Sequence, residues 1–181
     1  MTSSQGPFDK TIALVGLSGV GKSIVGRRLA AALGLPVRDA DSEVEAAAGR
    51  PIAEIFEQYG EGAFRDGEHR VIARLLAEAP HVLATGGGAF MHPETRALIK
   101  ARAISVWLKA DVEVLARRVS RKDNRPLLAG RDPLETLTAQ ARDRYPVYAE
   151  ADIAVETGDT PHQAAVEAIL MALRQRAEAG A

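Results

Sequence analysis

A glycine-rich octet, Gly16-Leu17-Ser18-Gly19-Val20-Gly21-Lys22-Ser23, follows directly on the apolar run Thr11-Ile12-Ala13-Leu14-Val15. No other feature of the chain constrains its fold as strongly. The run is short and partly β-branched and shows no polar alternation, so it reads as a strand buried on both faces. The octet matches G-x-x-x-x-G-K-[ST]. Its glycines let backbone N–H groups turn inward around an anion without Cβ clashes. A helix over Lys22 to Leu33 brings its positive end to the same point, and Gly34 closes it with Pro36 beyond. Strand, amide-lined turn and helix start, in that order, predict a phosphate cradle built from Gly19, Val20, Gly21, Lys22, Ser23 and Ile24. Lys22 is expected on the β- and γ-phosphates and the Ser23 hydroxyl on Mg²⁺. No Asn/Thr-Lys-x-Asp guanine signature is present, which favours ATP.

The rest of the chain alternates strands with helices. Val37 begins a short second strand leading into Asp39-Ala40-Asp41, and Asp41 or Ser42 is expected to cap a short helix that Gly49 ends. Pro51 opens a helix over Ile52 to Tyr59, and a longer one runs from Gly62 to Ala79. His81 to Ala84 is a strand ending at Thr85-Gly86-Gly87-Gly88. Pro93 opens a helix to Lys100, Ala103 to Leu108 is a strand, and Asp111 caps a helix to Val119. Residues 120–132 are polar, basic and aperiodic, which predicts a mobile lid. Pro133 starts a helix to Tyr148, Asp152 to Val155 is the fifth strand, and Thr160-Pro161 starts the last helix, to about Ala177. This pattern predicts an α/β fold, a three-layer α/β/α P-loop architecture on a parallel five-stranded sheet. Residues 1–10 read as a flexible tail and 11–181 as one domain. Ligands in such sheets bind beyond the carboxyl ends of the strands, which is where the glycine-rich and acidic segments fall.

Composition removes several classes of function. Lys and Arg total 23 against 24 Asp and Glu, a net charge of −1, which argues against non-specific nucleic-acid binding. The basic cluster Arg117, Arg118, Arg121, Lys122 and Arg125 lacks interleaved aromatics and suits a lid over phosphates better than a nucleic-acid groove. There are no cysteines, so disulfides and thiolate chemistry are excluded. No run of eighteen apolar residues is present, so no membrane span is expected and the chain reads as cytoplasmic. His69, His81, His92 and His162 show no metal-ligand spacing and are not read as ligands. Trp107, at a strand end, reads as core.

Asp39 and Asp41 occupy alternating positions at the end of the second strand, so both carboxylates should face the sheet's carboxyl edge. One can hold a metal-bound water and the other accept a proton from a hydroxyl. Alternatively, the pair simply caps a helix. Beside the P-loop, Asp39-x-Asp41-x-x-x-Glu45 resembles shikimate kinase, a relative of the nucleoside monophosphate kinases. Further matches follow in order: Gly49-Arg50-x-Ile52-x-x-Ile55-Phe56, Gly60-Glu61-x-x-Phe64-Arg65-x-x-Glu68, Gly86-Gly87-Gly88-Ala89, Arg125-Pro126-Leu127-Leu128 and Arg144-x-x-x-Tyr148.

The resemblance implies ATP-dependent phosphorylation of shikimate at its 3-hydroxyl by a monomer. It places Asp41 on the shikimate hydroxyls as the base and Asp39 near Mg²⁺ through water. Arg65 and Arg144 take the carboxylate, Gly87 offers its backbone N–H, and Phe56 and Phe64 wall the apolar side of the ring. Arg125 closes on the transferring phosphate and Arg118 stacks on adenine. Two arginines suit a carboxylate because each guanidinium offers paired, charge-assisted bonds. Each residue also has an ordinary reading. Arg65 can pair with Glu61 at helical spacing, Arg144 with Gln140 or Tyr148, and the two phenylalanines can be plain core. Gluconate kinase, a nucleoside monophosphate kinase and a slowly hydrolysing binding module are the rival functions.

Overall fold

The computed structural model describes residues 8–120 and 132–180. Its elements run β1 (Thr11–Val15), α1 (Lys22–Leu33), β2 (Val37–Asp39), α2 (Ala40–Ala48), α3 (Ile52–Leu76), β3 (Val82–Ala84), a 3₁₀ turn (Ala89–Met91), α4 (Pro93–Arg102), β4 (Ala103–Lys109), α5 (Val112–Ser120), α6 (Pro133–Tyr148), β5 (Ile153–Glu156) and α7 (His162–Ala179). The five strands form one sheet in the order β2-β3-β1-β4-β5, every neighbouring pair parallel. All five residues of β1 are buried. Ile12 lies opposite Val82 on one side and Ile104 on the other. A strand hydrogen-bonded on both edges and covered on both faces has no wet side, which is why this segment carries an unbroken apolar run.

Among the described residues no helix is long and apolar enough to cross a membrane. Phe8 is half-buried against the core, so the last part of the expected tail is packed. Trp107 is buried, in edge contact with Tyr145 at 5.1 Å and tilted against Tyr148 at 5.9 Å. Ser105 and Asp152 exchange bonds at 2.9 Å, Ser105 N–H to the carboxylate and Asp152 N–H to the hydroxyl, and so pin the start of β5 to β4.

Two expectations need correction. The cap of α2 is neither Asp41 nor Ser42. Asp39 fills that place with extended backbone, and its carboxylate accepts from Ser42 N–H at 3.1 Å. The helix starts at Ala40, so Asp41 stands in its first turn and not on a strand. The period-two argument for the aspartate pair therefore does not apply, although both side chains reach the same cleft. The two helices expected over residues 52–79 run end to end as α3, broken at Gly60 (φ 83°, ψ 173°) and ending at Leu76. The 3₁₀ turn after the triple glycine has no counterpart in the sequence reading.

Gly16 has φ +146°, and a Cβ built there would lie 2.7 Å from the Leu108 carbonyl oxygen of β4. A backbone atom cannot step aside as a side-chain tip does, so the turn out of β1 depends on this residue being bare. Gly16→Ala is expected to cost about 2 kcal/mol and to lower the thermal midpoint by about 4–8 °C, measured by calorimetry.

Candidate active site

Four segments meet at the carboxyl edge of the sheet: the octet after β1, the β2–α2 junction, the triple glycine after β3, and the start of α7. Together with the end of α5 they enclose a cleft of about 520 Å³ lined by Lys22, Ser23, Asp39, Asp41, Gly87 and Arg118, among others. In the loop, Gly19 (φ 88°) and Gly21 (φ 101°) hold the left-handed backbone that turns its amides inward. Leu17 and Val20 are buried and anchor the loop to the core. Lys22 Nζ donates to the carbonyls of Gly16 at 2.5 Å and Leu17 at 3.0 Å, which lays its stem along the loop.

Ser23 Oγ donates to Asp39 Oδ2 at 2.9 Å. A hydroxyl and a carboxylate oxygen this close, beside an amide-lined loop, are the donor chemistry that a hard divalent cation takes. The expected pair Ser23 and Asp39 is thus brought together, and its oxygens fit Mg²⁺. Asp39 serves twice, with one oxygen on Ser42 N–H and the other on Ser23. Arg118 also lines the cleft and donates to the Gly158 carbonyl at 2.5 Å, while its Nη1 is buried with no hydrogen-bond partner among the described residues. Arg125 lies outside the described residues.

The other half of the site is organised around Gly86, Gly87 and Gly88. Thr85 holds this turn to β1, its N–H and hydroxyl both donating to the Leu14 carbonyl at 3.2 and 2.8 Å. A Cβ on Gly86 would lie 2.7 Å from Asp41 Oδ1 and 3.1 Å from Glu68 Oε2. One on Gly87 would lie 2.9 Å from Ser18 Oγ and 3.6 Å from Arg144 Nη1, and one on Gly88 would overlap the Arg65 guanidinium. Three consecutive bare residues thus bring Asp41, Arg65, Arg144 and the phosphate loop onto one stretch of backbone. Arg144 Nη1 donates to the Gly87 carbonyl at 3.1 Å, and so does the hydroxyl of the fully buried Tyr148. It is the carbonyl of Gly87 that these side chains engage, and their grip fixes how the peptide is turned.

Arg65 has both ordinary and site partners. Glu61 lies 3.7 Å away, as helical spacing suggested, but the closer partner is Glu68 at 2.8 Å, whose side chain is 1 % exposed. The guanidinium also sits 5.0 Å over the Phe64 ring, and Phe64 packs against Phe56 with centroids 4.6 Å apart. Phe64 is buried and Phe56 half-buried, so the pair belongs to the core and borders the site at once.

Burial pushes the Asp41 carboxyl above the usual range, and the neighbouring Asp39 charge adds to this while Lys22 opposes it. Burial also raises Glu68, and outweighs the Arg65 ion pair that favours its charged form. Glu68 Oε2 is buried with no hydrogen-bond partner among the described residues.

Four contributors were missed by sequence reasoning. Glu68 and Tyr148 stood inside quoted motifs but were given no role; the i,i+3 spacing of Arg65 and Glu68 was the available signal. Ser18 is an unspecified position of the octet. His162, at the start of α7, packs on Gly21 so closely that a Cβ there would lie 2.6 Å from its ring; no spacing along the chain announces a contact across 141 residues (162 − 21).

This arrangement can hold a polyphosphate in the octet and an anion between two guanidiniums, with a carboxylate of raised affinity for protons between them. The shikimate kinase family model matches residues 18–174. A shikimate kinase of Caulobacter vibrioides is 75 % identical over 166 residues, covering 92 % of this chain and 83 % of that one. One from Bradyrhizobium diazoefficiens is 58 % identical, covering 91 % and 80 %. Among solved structures, a shikimate kinase from Acinetobacter baumannii in complex with shikimate superposes with a TM-score of 0.88 at 38 % identity, covering 92 % of this chain and 94 % of that one. Fold, site and these likenesses agree: the chain belongs to the shikimate kinase family.

Proposed function

We propose that this chain transfers the γ-phosphoryl group of ATP to the 3-hydroxyl of shikimate, giving shikimate 3-phosphate and ADP in aromatic amino-acid biosynthesis. The observation that carries the reading is the convergence of Arg65, Arg144 and Asp41 on the Gly86–Gly88 turn, beside the cleft that holds Lys22 and Ser23. Shikimate pairs one carboxylate with several ring hydroxyls. Arg65 and Arg144 take the carboxylate through paired bonds, and Gly87 adds its N–H. Phe56 and Phe64 border the apolar side of the ring. Asp41 takes the hydroxyls, and its raised pKa suits it to accept the proton of the attacking oxygen.

On the nucleotide side, Gly19 to Ile24 wrap the phosphates and Arg118 covers the base. Lys22, joined by Arg125, offsets the charge that spreads over the transferring group. Ser23 and, through water, Asp39 would hold Mg²⁺, which would supply positive charge beside the phosphates. Positioning and fixed charge supply most of the rate. In this reading the chain works as a monomer, as the family resemblance implies.

ADP release from the purified chain, assayed with shikimate, gluconate, AMP or no acceptor, tests the proposal. Turnover with shikimate alone is expected. Comparable kcat/KM with gluconate or AMP, or hydrolysis that ignores acceptors, overturns it.

Arg144→Ala is expected to raise the shikimate KM about 10- to 100-fold, the worth of a lost charge-assisted contact, while the ATP KM stays within about twofold. Glu68→Gln separates positioning from stability. Without the carboxylate, Arg65 loses its closest partner, and the shikimate KM should rise about tenfold. The raised pKa of Glu68 means that its proton is held more tightly in the folded chain. The stabilisation from that proton is full below the ordinary glutamate range and is lost as pH rises through the raised value. Glu68→Gln should therefore melt no lower than the parent at about pH 7.5. Any advantage it has there should shrink towards about pH 4, where the parent's own carboxyl is protonated.

A further inference from the structure

A second cavity, of about 480 Å³, opens between α2 and α3 and shares no lining residue with the phosphate cleft. That volume falls in the range of small-molecule sites. Val44, Ile55, Phe64 and Val71 are buried and give it apolar walls. The charged side chains that line it are Arg50 and Arg70, both cationic. Neither has a carboxylate partner among the described residues. Arg50 donates to the neutral Gln58 side chain at 2.5 Å and the Tyr59 hydroxyl at 3.4 Å, and Arg70 forms no hydrogen bond or ion pair there.

Two glycines of α3 gain a purpose from this cavity. Gly67 lies inside the helix, where glycine is the poorest former after proline. Nothing comes within 4 Å of a Cβ built on it, so no close neighbour requires the residue to be bare. What its bareness does is leave the cavity open. Gly60 breaks α3, and the cavity is lined from both sides of the break, by Ile55 and Tyr59 before it and Phe64, Gly67 and Arg70 after it. Phe64 is shared with the catalytic side, where it stacks on Phe56 and lies under the Arg65 guanidinium.

We infer that this cavity binds a small monoanion carrying an apolar ring, with its carboxylate on Arg50 and Arg70 and its ring against Ile55 and Phe64. An occupant spanning the Gly60 break fixes the angle between the two halves of α3. Through Phe64 it thereby sets the placement of Arg65 and the affinity for the acceptor. Binding stands on the cavity alone, whereas its effect on the acceptor rests on the shikimate reading above.

The probe is 3-phenylpropanoate, titrated into the full chain and followed by amide NMR shifts, with shikimate in excess to occupy Arg65 and Arg144. Saturable binding is expected, about tenfold weaker in Arg70→Glu and lost in Gly67→Leu, whose side chain fills the space. Gly67→Ala should still bind. In the parent, saturating probe should shift the shikimate KM, and in Gly67→Leu it should not. Absence of saturable binding, displacement by shikimate, or binding indifferent to both Arg70→Glu and Gly67→Leu overturns the site. Saturation without a change in KM overturns the coupling. Because NMR reads occupancy without turnover, failure of the chain to phosphorylate shikimate would be a separate result.

Discussion

Charged side chains can converge on Gly86, Gly87 and Gly88 only because that backbone is bare. The Arg65 guanidinium, two carboxylates and a loop hydroxyl lie against it at distances a single methyl group would crowd, and the Arg144 guanidinium lies at contact distance. The turn is in turn held by bonds that leave it little freedom, from Thr85 to the carbonyl of Leu14 and from Arg144 and Tyr148 to the carbonyl of Gly87. A flexible glycine run would be a poor platform; a glycine run clamped at both ends is a rigid one that side chains can approach closely.

The charge arrangement around it follows from the same closeness. Arg65 and Arg144 face one turn, and their mutual repulsion is offset by Glu68 and Asp41. Both carboxyls sit where burial disfavours their charged forms. Such a set holds its positions best when a further anion joins it, since two cations and a ring acid complete the neutralisation that Glu68 only begins. Packing supplies the remaining constraint. Phe64 ties the guanidinium of Arg65 to the core, and Tyr148 ties the Arg144 helix to the turn.

Much of the fold was legible because local signals and burial agree. The unbroken apolar run of β1 could be placed nowhere but the sheet centre, and the octet after it admits one geometry. The candidate site residues could be proposed as a set from ordered motifs, and the structure brings Asp41, Arg65 and Arg144 onto the Gly86–Gly88 turn beside the cleft lined by Asp39, Asp41 and Gly87. Finer points were hidden for physical reasons. A cap is decided by where a helix begins, and a shift of one or two residues moved that role to Asp39. Two helices flanking Gly60 look alike in sequence whether they part or run on. The roles of Glu68 and His162 depend on what faces them across the fold, and chain periodicity carries no record of that.

The position of β1 also bears on how the chain is made. Its pairing partner in β3 lies about 70 residues further on, as the Thr11–His81 contact shows, and its other neighbour, β4, comes later still. At ribosomal speeds of about 5–20 residues per second, β1 leaves the exit tunnel seconds before either strand that pairs with it has been made. The nascent segment through α1 and α2 must therefore remain soluble without its sheet. Until β3 emerges, the edges of β1 stay unpaired, which leaves this strand open to wrong pairing in the nascent chain.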